Sequence, residues 1–281
     1  LARTFGSAQK ALQAPVEELA GRGRLSLEQA QALAAMSGSL ARVSERLDLW
    51  RRAGIEAVAV EDERYPAGLR DLRSPPPLLF LRGELRPDDG RAVAIVGTRE
   101  PSREGARLAR GLARGLAARG FTVVSGLARG IDTAGHRGAL AARGGRTIAV
   151  LGSGLLRIYP PENAVLAATI ARRGCLMAEV SPDVEVDRRR LLARDRIQAA
   201  LPRAVIVVQA YEQCGSIVTA RHARQCGRML LAVPWTEPPF SHGWQRLREM
   251  GARPIAAEAE LDDLVAALEA EPPVGPQRPL L

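Results

Sequence analysis

The sequence predicts an α/β fold: a mainly parallel, doubly wound sheet preceded by a small helical module. Three observations predict it. From about residue 91, short runs rich in Val, Ile and Leu alternate with helix-like segments, the pattern of strands buried on both faces. Glycines recur just after those runs, at Gly97, Gly126, Gly152 and Gly215, where they let the backbone approach a ligand closely. Residues 1–50 instead show helical patterning broken by Gly.

Taken in order, FGSAQKALQ, PVEELAGR and SLEQAQALAAM read as short helices. Ser26 followed by Gln29, just before an apolar run, has the form of a capping box. This module is assigned to 1–55 and is expected to be incomplete at its N-terminus. GIEAVAV is a short strand, and ERYPAGLRDLRSPPPLLFLRGEL, with Pro75, Pro76 and Pro77, reads as a connector over 56–90. The core domain, 91–270, opens with the strand RAVAIVG. The helix SREGARLARGLAARG follows, with Ala106, Leu108, Ala109, Leu112, Ala113 and Leu116 as its apolar face. Next come FTVVSG (strand), IDTAGHRGALAARG (helix), RTIAVLGSG (strand), PENAVLAATIARRG (helix) and CLMAEV (strand). DRIQAALP is helical, AVIVVQA a strand, SIVTARHARQCG a helix and RMLLAVP a strand, with weaker helices near 243–250 and 260–270. The Pro-rich tail, 271–281, is expected to be flexible.

Composition narrows the function classes. The net charge is +9, and Lys10 is the sole lysine among 40 basic residues, which excludes Schiff-base and P-loop lysine chemistry. Genome base composition can produce an arginine bias by itself, but guanidinium forks suit phosphate oxygens and a basic surplus favours polyanions. Cys175, Cys214 and Cys226 form no CxxC pair, and His222 and His242 have no ligand-spaced partners, so neither a disulfide framework nor a metal site is expected. No apolar run approaches the roughly eighteen residues of a membrane span, and no basic-then-apolar leader opens the chain. A cytoplasmic protein without membrane contact is expected.

In doubly wound sheets, ligands bind beyond the carboxyl ends of the strands. Those ends carry Gly97-Thr98-Arg99, Ser125-Gly126-Leu127-Ala128-Arg129-Gly130, Gly152-Ser153-Gly154 with Arg157 and Tyr159, and Tyr211 with Cys214-Gly215-Ser216. Arginine follows each of the first three strands, making a phosphate-binding rim. GTREPSREG lacks the GxGxxG spacing, and the second strand ends in Ser125 instead of an acid; a dinucleotide cofactor is disfavoured and none is expected. Ser125, Asp132 and His136 could suggest nucleophilic chemistry, but a frame holding the turn is the better reading, with Asp132 capping the new helix. Arg103, Arg107, Arg110 and Arg114 form a stripe that reads as a solvated face. In Arg188-Arg189-Arg190, Arg194, Arg196 and Arg203, nucleic-acid contact and a buried or dimer role stay open for Arg194 and Arg196.

These stretches resemble the DNA-processing protein A (DprA, or Smf) family of recombination mediators. The motifs are VAIVGTR at 93–99, VVSGLARGIDTAGHRGAL at 123–140, GGRTIAVLGSGLLRIYPPEN at 144–163, LLARDRI at 191–197, CGSIVTARHA at 214–223 and GRMLLAVP at 227–234. The resemblance covers nearly the whole chain. It implies a Rossmann-like sheet domain and a sterile-alpha-motif-like or helix-hairpin-helix N-terminal module. It also implies a non-enzymatic homodimer that binds single-stranded DNA, protects incoming DNA and helps load RecA during natural transformation. Carried onto this chain, Arg99 is the leading DNA contact. Arg129 and the backbone amides of Thr98, Gly126 and Gly130 complete a phosphate pocket, with Gly97, Ser125, Arg157 and Arg196 as further DNA-binding positions. The chain departs from the family at Asp195, where Asn is usual, at Gln209, Cys214 and Trp235, and at Ala164, where many members have a basic residue. The alternative is a phosphoribohydrolase-like nucleotide enzyme on a related fold, but CGSIVTARHA lacks the acid its catalytic loop would need.

Overall fold

The computed structural model describes residues 1–36 and 40–270; the tail expected at 271–281 lies outside the described residues. The chain divides into two compact units, Leu1–Ala53 and Gly54–Leu281. The first holds α1 (Ala2–Phe5), α2 (Ala8–Gln13), α3 (Val16–Gly21), α4 (Leu27–Met36) and α5 (Leu40–Arg52). Ala11, Leu19 and Ala30 are its buried apolar residues. The capping box at the start of α4 is formed: Gln29 N–H donates to Ser26 Oγ (3.2 Å), and Ser26 N–H donates to Gln29 Oε1 (3.0 Å).

The second unit carries β1 (Ile55–Ala59), α6 (Ala67–Arg70), β2 (Leu78–Gly83), β3 (Ala92–Val96), α7 (Arg103–Ala118), β4 (Thr122–Ser125), α8 (Ile131–Ala141) and β5 (Thr147–Leu151). It continues with α9 (Ala164–Arg173), β6 (Cys175–Ala178), α10 (Arg188–Ala200), β7 (Ala204–Val207) and α11 (Gly215–Gln225). β8 (Met229–Ala232), α12 (Phe240–Glu249), β9 (Arg253–Pro254) and α13 (Leu261–Ala270) complete it.

The nine strands form one sheet in the order β1-β2-β6-β5-β4-β3-β7-β8-β9. Pairing is parallel from β6 to β9, and antiparallel for β1 with β2 and β2 with β6. This is the Rossmann-like, doubly wound arrangement expected from the alternation of strands and helices. The segment read as a connector, 56–90, supplies β1 and β2 to the sheet, and the division between units falls at Ala53, ahead of the three prolines.

Both faces of the sheet are covered, and β3 shows how the period-2 pattern divides the core. Ala92, Ala94 and Val96 join Ile197 of α10, Ile217 of α11 and Leu247 of α12 on one face. Val93 and Ile95 join Leu112 of α7, Ile131 of α8 and Leu264 of α13 on the other. Each such fully buried aliphatic side chain contributes about 1.5–3 kcal/mol of transfer free energy. At the amino ends of the strands, Asp89 accepts from Arg146 through both oxygens (2.7 and 2.8 Å), and from Thr122 Oγ1 and Arg86 N–H (each 2.8 Å). That buried pair ties the entry of β3 to the entries of β4 and β5. The chain runs outward from β3 through β4 and β5 to β6, then returns through α10 to start β7 on the other side of β3. The switch point of the sheet therefore lies between β3 and β7.

Candidate nucleic-acid interface

A cleft of about 1230 Å³ opens beyond the carboxyl ends of β3 and β7, where the reversal of strand order splays the loops apart. Gly97, Thr98 and Arg99 line one side, Tyr211 and Cys214 another, and α10 closes it with Arg188, Leu191 and Asp195.

The Gly97–Arg99 loop is held by its neighbours. Thr98 N–H donates to the Gln209 carbonyl (2.7 Å), Ile131 N–H donates to the Thr98 carbonyl (3.1 Å), and Glu100 N–H donates to Thr98 Oγ1 (3.1 Å). A Cβ at Gly97 would lie 2.6 Å from Ile131 Cγ1 and 2.7 Å from the Gln209 carbonyl oxygen, so only glycine lets the loop pass between α8 and the end of β7. The buried Gln209 amide accepts from Ser102 N–H (3.0 Å) and donates to Ser102 Oγ (2.9 Å), fixing the residue that caps α7. Arg99 itself is exposed at the cleft. Among the described residues it makes no hydrogen bond or ion pair, and its charge acts on Asp195.

The turn after β4 is organised inward. Gly126 N–H (3.1 Å) and Ala128 N–H (3.3 Å) donate to Asp132 Oδ2, and Leu127 N–H donates to His136 Nε2 (3.3 Å). Ser125 is buried, its hydroxyl donating to the Ile95 carbonyl (2.6 Å). Asn163 Nδ2 donates to the Leu127 carbonyl and to Thr133 Oγ1, both at 2.8 Å. Asp132 and His136 thus frame the turn, with the Ser125 hydroxyl turned into the protein. Thr147 Oγ1 donates to the Val123 carbonyl, so it accepts from His136 Nδ1. The imidazole is therefore neutral with its proton on Nδ1, and burial, aided by the charge of Arg194, lowers its pKa to about 3. Burial pushes the Asp132 carboxyl up, against the pull of Arg194 and the donated amides.

The expected phosphate pocket needs correction on this geometry. The amides of Thr98 and Gly126 are spent inside the protein, and so cannot face an anion. Gly130, at φ +72°, presses on the neighbouring loop: a Cβ there would stand 2.7 Å from the Arg99 carbonyl carbon and oxygen. Gly126 and Gly130 are close-approach glycines, and neither they nor Ser125 line the cleft.

The arginines divide in the same way. Arg129 pairs with Glu162, which holds the guanidinium pKa up and the carboxyl pKa down. Arg157 pairs with Glu185 at 3.3 Å. Arg196 pairs with Glu179, is largely buried and lies outside the cleft lining. Arg194, 5% exposed, reaches under the turn: its Nη1 donates to the Val150 carbonyl (2.6 Å), and its Nε lies 3.2 Å from Asp195 Oδ1. Sequence reasoning misses the contribution of α10 to the cleft. Its signal is the spacing of Arg188, Leu191, Leu192 and Asp195 on one helical face.

Among the described residues, no helix is long and apolar enough to cross a membrane. A family model described as DNA recombination-mediator protein A matches residues 56–269. The DNA processing protein DprA of Bacillus subtilis is 36% identical over 221 residues, covering 78% of this chain and 74% of that protein. Protein Smf of Synechocystis is 40% identical over 217 residues, covering 75% of this chain and 54% of its own, so the match spans about half of that relative. The structure of DNA processing protein A from Streptococcus pneumoniae superposes with a TM-score of 0.79 at 30% identity, covering 89% of this chain and 86% of that one. DNA processing protein A from Helicobacter pylori, whose structure concerns a single-stranded DNA binding mode, superposes with a TM-score of 0.67 at 31% identity, covering 75% and 96%.

Proposed function

Since the chain belongs to the DNA recombination-mediator protein A family, we propose that it binds single-stranded DNA in the cleft between the ends of β3 and β7. The observation that carries this reading is Arg99: an exposed cation that makes no hydrogen bond or ion pair among the described residues, lining a switch-point cleft. Arg188 and Arg221 add positive charge to the same lining. The binding structure of the Helicobacter pylori relative supports the choice of ligand.

Recognition rests on the phosphates, so it is indifferent to base sequence. Each phosphate neutralised releases counterions, and log K falls against log salt with a slope of about −0.7 per phosphate on a single strand. The protein works without chemistry on the strand. It holds cytoplasmic DNA during natural transformation, acts as a homodimer through the Rossmann-like domain, and passes the strand to RecA. Those finer steps follow from the family resemblance.

Fluorescence anisotropy with labelled oligo-dT, a duplex of equal length and a non-nucleic polyanion, run over a salt series, tests the reading. Preference for the single strand, with a steep salt slope, is the expected result. Equal affinity for the polyanion, or release of free base from a nucleoside monophosphate at enzymatic rates, overturns it.

A further inference from the structure

Tyr211 stands at the end of the segment leaving β7 and is one of two exposed tyrosines in the cleft, each 37% exposed. The other, Tyr159, follows β5. Tyr211 differs in what lies behind it. Its ring packs on Phe240 at the start of α12, with centroids 5.2 Å apart and planes tilted by 46°. Phe240 packs in turn on Trp235, at 6.2 Å and 60°. Trp235 is anchored by its indole N–H, which donates to the Val208 carbonyl (2.6 Å) at the end of β7. The Tyr211 carbonyl accepts from Cys214 Sγ (3.2 Å), which steadies the backbone ahead of α11. A chain of tilted aromatic contacts tied to the sheet therefore ends in a ring that lines the cleft holding Arg99, Arg188 and Arg221.

We propose that Tyr211 is a base-stacking platform, on which one base of the bound strand lies while Arg99 and the cleft arginines hold the adjoining phosphates. This inference rests on the single-stranded DNA reading and adds a subsite to it. A π-face accepts any base, so stacking here adds affinity without sequence preference. Because Phe240 and Trp235 hold the ring in place, binding freezes little extra side-chain freedom. At 4% aromatic residues the chain cannot line an extended groove with rings. A single backed position beside the phosphate-binding arginines is what its composition allows.

The test compares wild-type, Tyr211→Ala and Tyr211→Phe proteins on two labelled oligonucleotides of equal length, oligo-dT and a fully abasic strand. Both strands carry the same phosphates, and only the first carries bases. The expected result is a loss of about tenfold for Tyr211→Ala on oligo-dT, no change on the abasic strand, and wild-type affinity for Tyr211→Phe on both. An equal loss for Tyr211→Ala on both strands assigns the residue a structural or phosphate-side role and overturns the platform. So does an unchanged affinity on oligo-dT. Failure of the wild-type protein to bind either strand overturns the single-stranded DNA reading itself, and the platform with it.

Discussion

The guanidinium of Arg194 lies against the backbone of Gly126, in the space that any side chain at 126 would occupy. The turn after β4 and the helix α10, 68 residues apart in the chain, are locked together at this point. Gly126→Ala forces the guanidinium away from the Val150 carbonyl it bonds and leaves a buried charge poorly placed. The expected cost is about 1–3 kcal/mol, with the melting temperature falling about 2–4 °C per kcal/mol for a chain of this size. A melting temperature equal to wild type contradicts the lock.

His136 makes stability depend on pH. Its folded pKa is about 3, below the unfolded value of about 6.5, so between these values the unfolded chain holds a proton that the folded chain does not. The stabilisation from the neutral imidazole is complete above pH 6.5 and declines by about 1.4 kcal/mol per pH unit below it. Asp195, pushed up to about 6 by burial, has the opposite sign below pH 6, because there the folded state holds the extra proton. His136→Gln removes the first effect and keeps the second. Denaturant titrations from pH 7 to 5 should therefore show the variant gaining stability as pH falls below 6, while in wild type the His136 loss offsets that gain. Parallel curves contradict the assignment.

Asp89 and Arg146 sit at the opposite ends of the strands from the cleft, with side chains 7% and 10% exposed. Arg146→Ala strands a buried carboxylate and is expected to cost about 3–5 kcal/mol in chemical denaturation. The folded fraction should keep its affinity for single-stranded DNA. A loss of affinity without loss of stability contradicts a purely structural role.

Asp195 places a negative charge in a cleft proposed for an anion. It is 6% exposed, and its Oδ2 lies 3.6 Å from where a Cβ would project at Gly215, the first residue of α11. The charges facing it are Arg194 from its own helix, Asp132 from α8 and Arg99 from the loop after β3. A nearby DNA phosphate disfavours the carboxylate form further, so binding takes up a proton and affinity rises as pH falls through about 6. Asp195→Asn should tighten binding at neutral pH by about three- to tenfold, roughly 0.7–1.4 kcal/mol, and abolish the pH dependence. Anisotropy at neutral and mildly acidic pH checks both, and equal curves for the two proteins contradict the charge effect.

The sheet core was legible because its strands are near-continuous Val/Ile/Leu runs and its turns are marked by glycine. β2 was not, because three prolines precede LLFLRG; antiparallel pairing of Phe80–Gly83 with Cys175–Ala178 makes it a strand. The cleft was legible as strand ends carrying Gly and Arg. Which way the amides point was not, since that depends on the Asp132 carboxylate accepting two of them. Nor does local sequence show that Arg129 meets Glu162 or that Arg196 meets Glu179. Ion pairing between distant segments is a property of the closed fold, and it separates the cleft arginines Arg99, Arg188 and Arg221 from the paired Arg129, Arg157 and Arg196.

The most direct test is the affinity of Arg99→Ala for oligo-dT beside that of wild type, with melting temperatures measured in parallel. Arg99 is exposed and makes no hydrogen bond or ion pair among the described residues, so its removal should leave the melting temperature unchanged. Affinity should fall at least tenfold, about 1.4 kcal/mol, and the salt slope should shrink by about 0.7 for each phosphate that the arginine neutralises. A folded Arg99→Ala protein that binds oligo-dT as tightly as wild type, with the same salt slope, contradicts the placement of DNA in this cleft.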